Sequence, residues 1–181
     1  MGSALLQERE NGTLKRMLYS PLQPWQIISG RLLSSFVFAL LQMTILILFT
    51  YLVFGLDVFR NFSGLLLITI ATAFAAAGMG ILLAAVAKTQ KQLESLAMIT
   101  IIVMSALGGS MIPLFIFPDF LKTMAHFTIN FWSIDGFYDV LGRDVGLWSH
   151  LKNAGILLLF GLISSLLAIG IFTNRLKKDF Q

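Results

Sequence analysis

The residue types that could do chemistry in this chain are concentrated in the stretch FWSIDGFYDVLGRD, at residues 131–144. Grouped carboxylates are typical of general acid–base catalysis, in which one group donates a proton and another accepts one. Solvated or headgroup-facing charges are the simpler interpretation, because the long apolar runs of the chain contain no charge. The four charged residues are Asp135, Asp139, Arg143 and Asp144.

Metal and nucleotide chemistry have little support. His126 and His150 are the only histidines, 24 residues apart, and cysteine is absent. We therefore expect no metal site, and we expect His126 to make a local hydrogen bond or cap. The chain has no G-x-x-x-x-G-K-[ST] loop, so we expect it to bind no ATP and no other cofactor of its own.

The composition indicates a membrane protein. Of 181 residues, 57% are hydrophobic and 12% are charged, whereas a soluble domain has roughly 25% charged residues. Four runs free of charge each exceed the roughly 20 residues that a helix needs to cross a bilayer. We predict one all-α integral membrane domain over 1–181, without intramembrane charges for ion coupling. The predicted transmembrane helices are 32–56, 62–87, 95–117 and 153–174.

The distribution of basic residues predicts the orientation. Four spans place both termini and the loop 88–94 on one side, which carries nine basic residues, while the other side carries four. Basic loops stay in the cytoplasm. We therefore expect a multi-pass protein of the cell membrane with both termini cytoplasmic.

The segment 118–145 is predicted to re-enter the membrane from outside. The sequence before it, GGSMIPLFIFP, contains Gly108, Gly109, Pro113 and Pro118, which interrupt the preceding helix. Only twelve uncharged residues separate Lys122 from Asp135, too few to span. We expect two short helices, roughly 119–130 and 132–142. We also expect small residues at helical spacing, such as Ala73, Ala77 and Gly80, to pack helices together.

The stretch ERENGTLKRMLYSP, residues 8–21, predicts an amphipathic cytoplasmic helix that ends at Ser20-Pro21. Leu14, Met17 and Leu18 share one face. Three uses are open: lying on lipid, packing under the chain's own spans, or docking into a protein partner. Mixed charges on the polar face weakly favour a protein partner.

This stretch resembles the E-R-E-x-G-T-L-x-R-L-L-x-S-P signature of ABC-2 type transporter permeases, with Met17 where leucine is usual. Gly30-Arg31 resembles the pair that leads into the next span of that family. The segments 108–118 and 131–144 resemble its outer turn and its outer re-entrant segment. The resemblance covers essentially the whole chain.

The resemblance implies that 8–21 is a coupling helix, seated in a cleft of a separate ABC ATP-binding subunit that holds ATP-Mg. It also implies a second permease subunit, identical or different, a prokaryotic plasma membrane with its lipid, and no nucleic acid. The residues implied in coupling are Glu8, Arg9, Glu10, Gly12, Thr13, Leu14, Arg16, Met17 and Leu18.

The family's permease domain has six spans, so the chain is expected to be its C-terminal portion or a half-size gene product. The function implied is the membrane subunit of an ATP-driven exporter, with no enzymatic activity of its own. The alternative is a passive channel or an anchoring and assembly subunit. An intramembrane enzyme ranks last, because a catalytic grouping is lacking.

Overall fold

The computed structural model describes the backbone of residues 24–143 and 147–179. Within these ranges every regular element is helical, which confirms the all-α prediction. The predicted coupling helix at 8–21 lies outside the described residues. The helices are α1 (Pro24–Phe54), α2 (Phe62–Val86), α3 (Gln90–Leu107), a 3₁₀ turn (Leu114–Ile116), α4 (Asp119–Ala125), α5 (Ile129–Leu141) and α6 (Leu147–Asp179).

Three helices of the described part are long and apolar enough to cross a membrane: α1 over Ile28–Phe54, α2 over Phe62–Val86, and α6 over His150–Thr173. The uncharged run 95–117, predicted as a further span, is not one helix. Its helical part, α3, ends at Leu107, because Gly109 adopts φ +87° and two prolines follow. A fourth crossing by α3 therefore stays a prediction.

Helices α2 and α6 form the centre of the bundle and make its most extensive helix contact. A Cβ on Gly78 would stand 2.6 Å from the carbonyl oxygen of Gly161, so the two backbones touch at these glycines. Ala73 and Ala77 of the predicted small-residue stripe are buried here, but Gly80 is exposed, with open space beside it. Close approach of membrane helices uses such small residues.

Helix α1 is peripheral: it packs on α2 and α6, yet none of the side chains in its most apolar stretch is buried. Between α1 and α2 lies a groove of about 600 Å³. Its walls include Phe38 and Gln42 from α1, and its floor is made by Ala76, Ala77 and Gly80. The groove is almost entirely apolar.

Helix α5 lies across α2 and α6 and completes the main core. Helix α4 ends at Ala125, five residues before its predicted end, because Thr128 starts a new helix. The Thr128 hydroxyl accepts a hydrogen bond from the Phe131 amide at 3.3 Å and donates one to the Ala125 carbonyl at 2.7 Å. This cap fixes α5 to begin at Ile129. The core beneath it contains Val58, Leu65, Ile68, Ala71, Ala75, Ile129, Trp132, Val140, Ala154 and Leu157.

Candidate functional site

The outer connection, residues 108–118, turns the chain from α3 into α4 and contains all four glycines and prolines predicted there. Gly108 ends α3, and its amide donates to the Met104 carbonyl at 2.8 Å. A Cβ at Gly108 would stand 2.5 Å from the Cβ of Asn130, so glycine permits α3 to touch the start of α5. Gly109 supplies the positive φ that the turn requires. Pro113 precedes the 3₁₀ turn, and Pro118 is the N-cap residue of α4.

A single amide links this connection to α5. The Asn130 amide nitrogen donates to the hydroxyls of Ser105 at 3.2 Å and of Ser110 at 2.9 Å. The backbone amides of Ser110 and Met111 in turn donate to the Ser105 carbonyl. The end of α3, the turn and the start of α5 are therefore joined by hydrogen bonds around Ser105.

The carboxylates singled out in the sequence form what we call the carboxylate cluster: Asp135, Asp139, Arg143 and Asn153. One guanidinium nitrogen of Arg143 donates to Asp135 at 2.8 Å and to Asp139 at 3.0 Å. The Asn153 amide donates to the other oxygen of each carboxylate, at 3.2 Å in both cases. Asp135 and Asp139 lie one turn apart on α5, and Asn153 comes from α6. The cluster thus fastens α5 to α6.

Burial corrects the interpretation of Asp139 as a solvated charge, while Asp135 is 32% exposed. The Asp139 side chain is only 2% exposed and Asn153 only 1%, while Arg143 is 56% exposed. The hydrogen bond that Arg143 donates to Asp135, and after it the one to Asp139, raises the pKa of Arg143 above its ordinary value. Arg143 therefore stays charged, and each carboxylate accepts hydrogen bonds at both oxygens. Such saturated carboxylates suit a structural role better than proton transfer. Asp144 lies outside the described residues.

Replacing Asp139 with asparagine is expected to destabilise the protein by about 1–3 kcal/mol. The new amide NH₂ would face either Arg143 or Asn153, both of which donate. Asp119→Asn is the control, since Asp119 pairs with Lys122 at 3.1 Å but has a 99% exposed side chain. The control should change stability by less than about 1 kcal/mol. Thermal unfolding in nanodiscs measures both variants, and equal losses would contradict a buried structural role for Asp139.

A second polar contact lies one helical turn earlier on α6. Asn61 accepts a hydrogen bond from the Gly64 amide at 3.1 Å and so caps α2. Its amide nitrogen faces Nε2 of the buried His150 at 3.2 Å. Because this Asn61 nitrogen is a donor, Nε2 of His150 is the acceptor in this contact. Nδ1 has no hydrogen-bond partner among the described residues.

His126 acts within the outer helices, as predicted. Its Nδ1 lies 2.8 Å from the Lys122 carbonyl, and its own carbonyl accepts from the Trp132 indole at 2.7 Å. The described residues contain no group of three histidines or carboxylates that could hold a metal ion. The site is therefore a set of structural contacts that position the outer helices.

Comparison with known proteins shows to which family the chain belongs. The family described as "ABC-2 family transporter protein" matches residues 1–169. The chain belongs to the ABC-2 transporter family. This match includes both the 8–21 stretch and the outer helices, and it confirms the resemblance to ABC-2 permeases.

Two bacterial permeases are similar to this ABC-2 chain. The linearmycin resistance permease protein LnrN of Bacillus subtilis is 28% identical over 91% of the chain and 43% of its own length. The inner membrane transport permease YhhJ of Escherichia coli is 27% identical over 62% of the chain and 30% of its own length. The chain therefore spans less than half the length of these relatives. No solved structure matches it.

For the ABC-2 chain, the structure brings the four outer-turn residues into one connection, while the nine predicted coupling residues lie outside the described part. Sequence reasoning missed Asn130, Asn153 and Asn61, each of which joins two elements. Asn61 and Asn153 are each the first residue of an uncharged run, which marks the start of a predicted span but indicates no partner. Asn130 follows threonine-isoleucine with no comparable pattern.

Proposed function

We propose that this chain is the membrane-spanning subunit of an ATP-driven ABC exporter. ATP is bound and hydrolysed by a separate subunit, and residues 8–21 transmit its closure to α1 and the bundle. The observation that carries the proposal is the family match over 1–169, which includes the ERENGTLKRMLYSP stretch. Both termini are cytoplasmic in this proposal, in line with nine basic residues on that side and four on the other.

The residues of this chain agree with a role in the membrane that is separate from ATP hydrolysis. The chain has no phosphate loop, which agrees with ATP hydrolysis by a separate subunit. Asp135 and Asp139 each accept hydrogen bonds at both oxygens, which agrees with a structural role for them. The exposed faces of α1, α3 and α6 are apolar, as contacts with lipid or with a second permease subunit require. Apolar walls suit lipids, lipid-linked glycans or amphipathic drugs.

Reconstitution tests the proposal. The natural permease and its ATP-binding subunit are placed in proteoliposomes, with an NBD-labelled phospholipid and daunomycin as probes. We expect movement of at least one probe that requires ATP and stops when the phosphate-loop lysine of the ATP-binding subunit is replaced. A passive channel is the alternative function. Flux that is equally fast without nucleotide would favour the channel and contradict ATP-driven export.

A further inference from the structure

A crevice of about 520 Å³ opens at the outer end of the bundle, between the α1–α2 connection and α5. Pockets of 300–1,000 Å³ are of the size that binds small ligands. The carboxylate cluster lies beside the crevice on the adjacent face of α5, and its Arg143 is 5.9 Å from the ring centre of Tyr138. Its lining residues are Leu56, Asp57, Arg60, Ile134, Phe137, Tyr138, Leu141 and Gly142.

The α5 wall of the crevice is an apolar stripe that is less buried than the core face of the helix. Helix α5 buries Trp132, Gly136 and Val140 against the bundle. The residues at positions 134, 137, 138 and 141 have the i, i+3, i+4, i+7 spacing of one helical face, and they line the crevice, although Phe137 also packs against the main core. Tyr138 is 62% exposed and Leu141 is 47% exposed. A stripe of this kind suits acyl chains.

The opposite wall carries two opposite charges three residues apart. Asp57 and Arg60 are both exposed on the connection that follows Gly55, whose φ of +63° turns the chain. The connection joins Phe54 and Phe62, the ends of two helices long enough to cross the membrane. This position corresponds to the headgroup level of the bilayer, where charged and aromatic groups meet.

We propose that this crevice binds a zwitterionic phospholipid, with its phosphate on Arg60, its ammonium group on Asp57 and its acyl chains along the α5 stripe. Arginine suits phosphate because it has five N–H donors in a planar fork, so it can hold a phosphate beside another partner. The Tyr138 ring can also make a cation–π contact. The Arg143 guanidinium lies 5.9 Å from the centre of this ring.

The charge balance favours a zwitterion over an anionic lipid. Asp135 and Asp139 outnumber Arg143 in the neighbouring cluster, and Asp57 offsets Arg60 at the crevice itself. The charges of the crevice lining and the carboxylate cluster together sum to one excess negative charge. A lipid whose head is only negative would be repelled, whereas an ammonium group would be attracted. The inference requires only that the chain lies in a membrane, so its test uses no transport readout.

Native mass spectrometry of the delipidated protein tests the proposal with dioleoyl-phosphatidylethanolamine and dioleoyl-phosphatidylglycerol as probes. We expect the ethanolamine lipid to be retained more tightly than the glycerol lipid. The double variant Asp57→Asn/Arg60→Gln should lose about tenfold in affinity for it, because two charge-assisted contacts become neutral.

The control variant is Asp119→Asn/Lys122→Gln, which removes another exposed acid–base pair three residues apart on α4. It should change retention by less than about twofold, since a twofold change is below the contribution of one charge-assisted contact. Thermal unfolding is measured for both double variants to show that each is folded. Equal retention of both lipids, tighter retention of the glycerol lipid, or equal losses in the two double variants would each overturn the proposal.

Discussion

Replacing both Leu14 and Leu18 with aspartate abolishes association with the ATP-binding subunit, while the chain remains in the membrane. These leucines share one face of the predicted coupling helix with Met17. Burying a leucine contributes about 1.5–3 kcal/mol, so losing two weakens binding by at least about a hundredfold. The aspartates add the cost of taking charges out of water. Co-purification of the two subunits from native membranes measures the loss, and membrane fractionation shows that the chain is still inserted.

The matched control is Lys15→Asp, which places a new negative charge on the same predicted helix but outside its apolar face. It should leave most of the association intact, because that position meets solvent or the rim of the cleft. Persistent association and transport in the Leu14/Leu18 variant would show that residues 8–21 do not dock. A membrane-associated role for the helix would then be the better account.

Gly78→Ala destabilises the bundle by about 1–3 kcal/mol, the usual cost of an extra methyl group in a tightly packed core. The new Cβ would stand 2.6 Å from the Gly161 carbonyl oxygen and 3.1 Å from the Gly161 Cα. Both are backbone atoms, so no side-chain rotation relieves the overlap, and α2 must move away from α6. Unfolding of the purified protein in mild detergent, followed by helical circular dichroism, measures the loss.

Gly80→Ala is the control two residues along the same helix. The structure shows no atom within 4 Å of a Cβ at that position, and alanine favours helix over glycine by up to about 1 kcal/mol. The two substitutions should therefore act in opposite directions. Equal effects would mean that α2 and α6 are not in backbone contact at Gly78.

The sequence predicts where helices lie in the chain better than it predicts which of their residues pack against other helices. Asn61 and the uncharged run that follows it mark the start of α2, because capping and hydropathy are local properties. The choice of Gly78 over Gly80 as the contact with α6 is not local. It depends on which face α2 turns toward Gly161, 83 positions farther along the chain. The predicted stripe included Gly80 and not Gly78, so small-residue spacing did not identify the residue that contacts Gly161.

In the candidate site, too, the sequence predicts local features but not contacts between helices. The four-residue spacing of Asp135 and Asp139 predicts that they share a helix face, and they do. The burial of Asp139 was not predictable, because it results from Asn153 on another helix and from Arg143 folding back over the end of α5. A carboxylate near a predicted surface segment has no sequence signal for a partner 14 or more residues away. The coupling residues stay a prediction from their motif.

The hydrogen bonds that attach α5 to α6 are stronger than those that attach it to α3, and this difference has a mechanical consequence. Its attachment to α6 uses two hydrogen bonds from Asn153 to ionised carboxylates, whereas its attachment to α3 and the turn uses neutral bonds from Asn130 to two serines. Bonds to ionised acceptors are roughly twice as strong as neutral ones. A rotation of α6 is therefore expected to carry α5 with it, and bending at this end of the bundle is expected at Gly108 and Gly109.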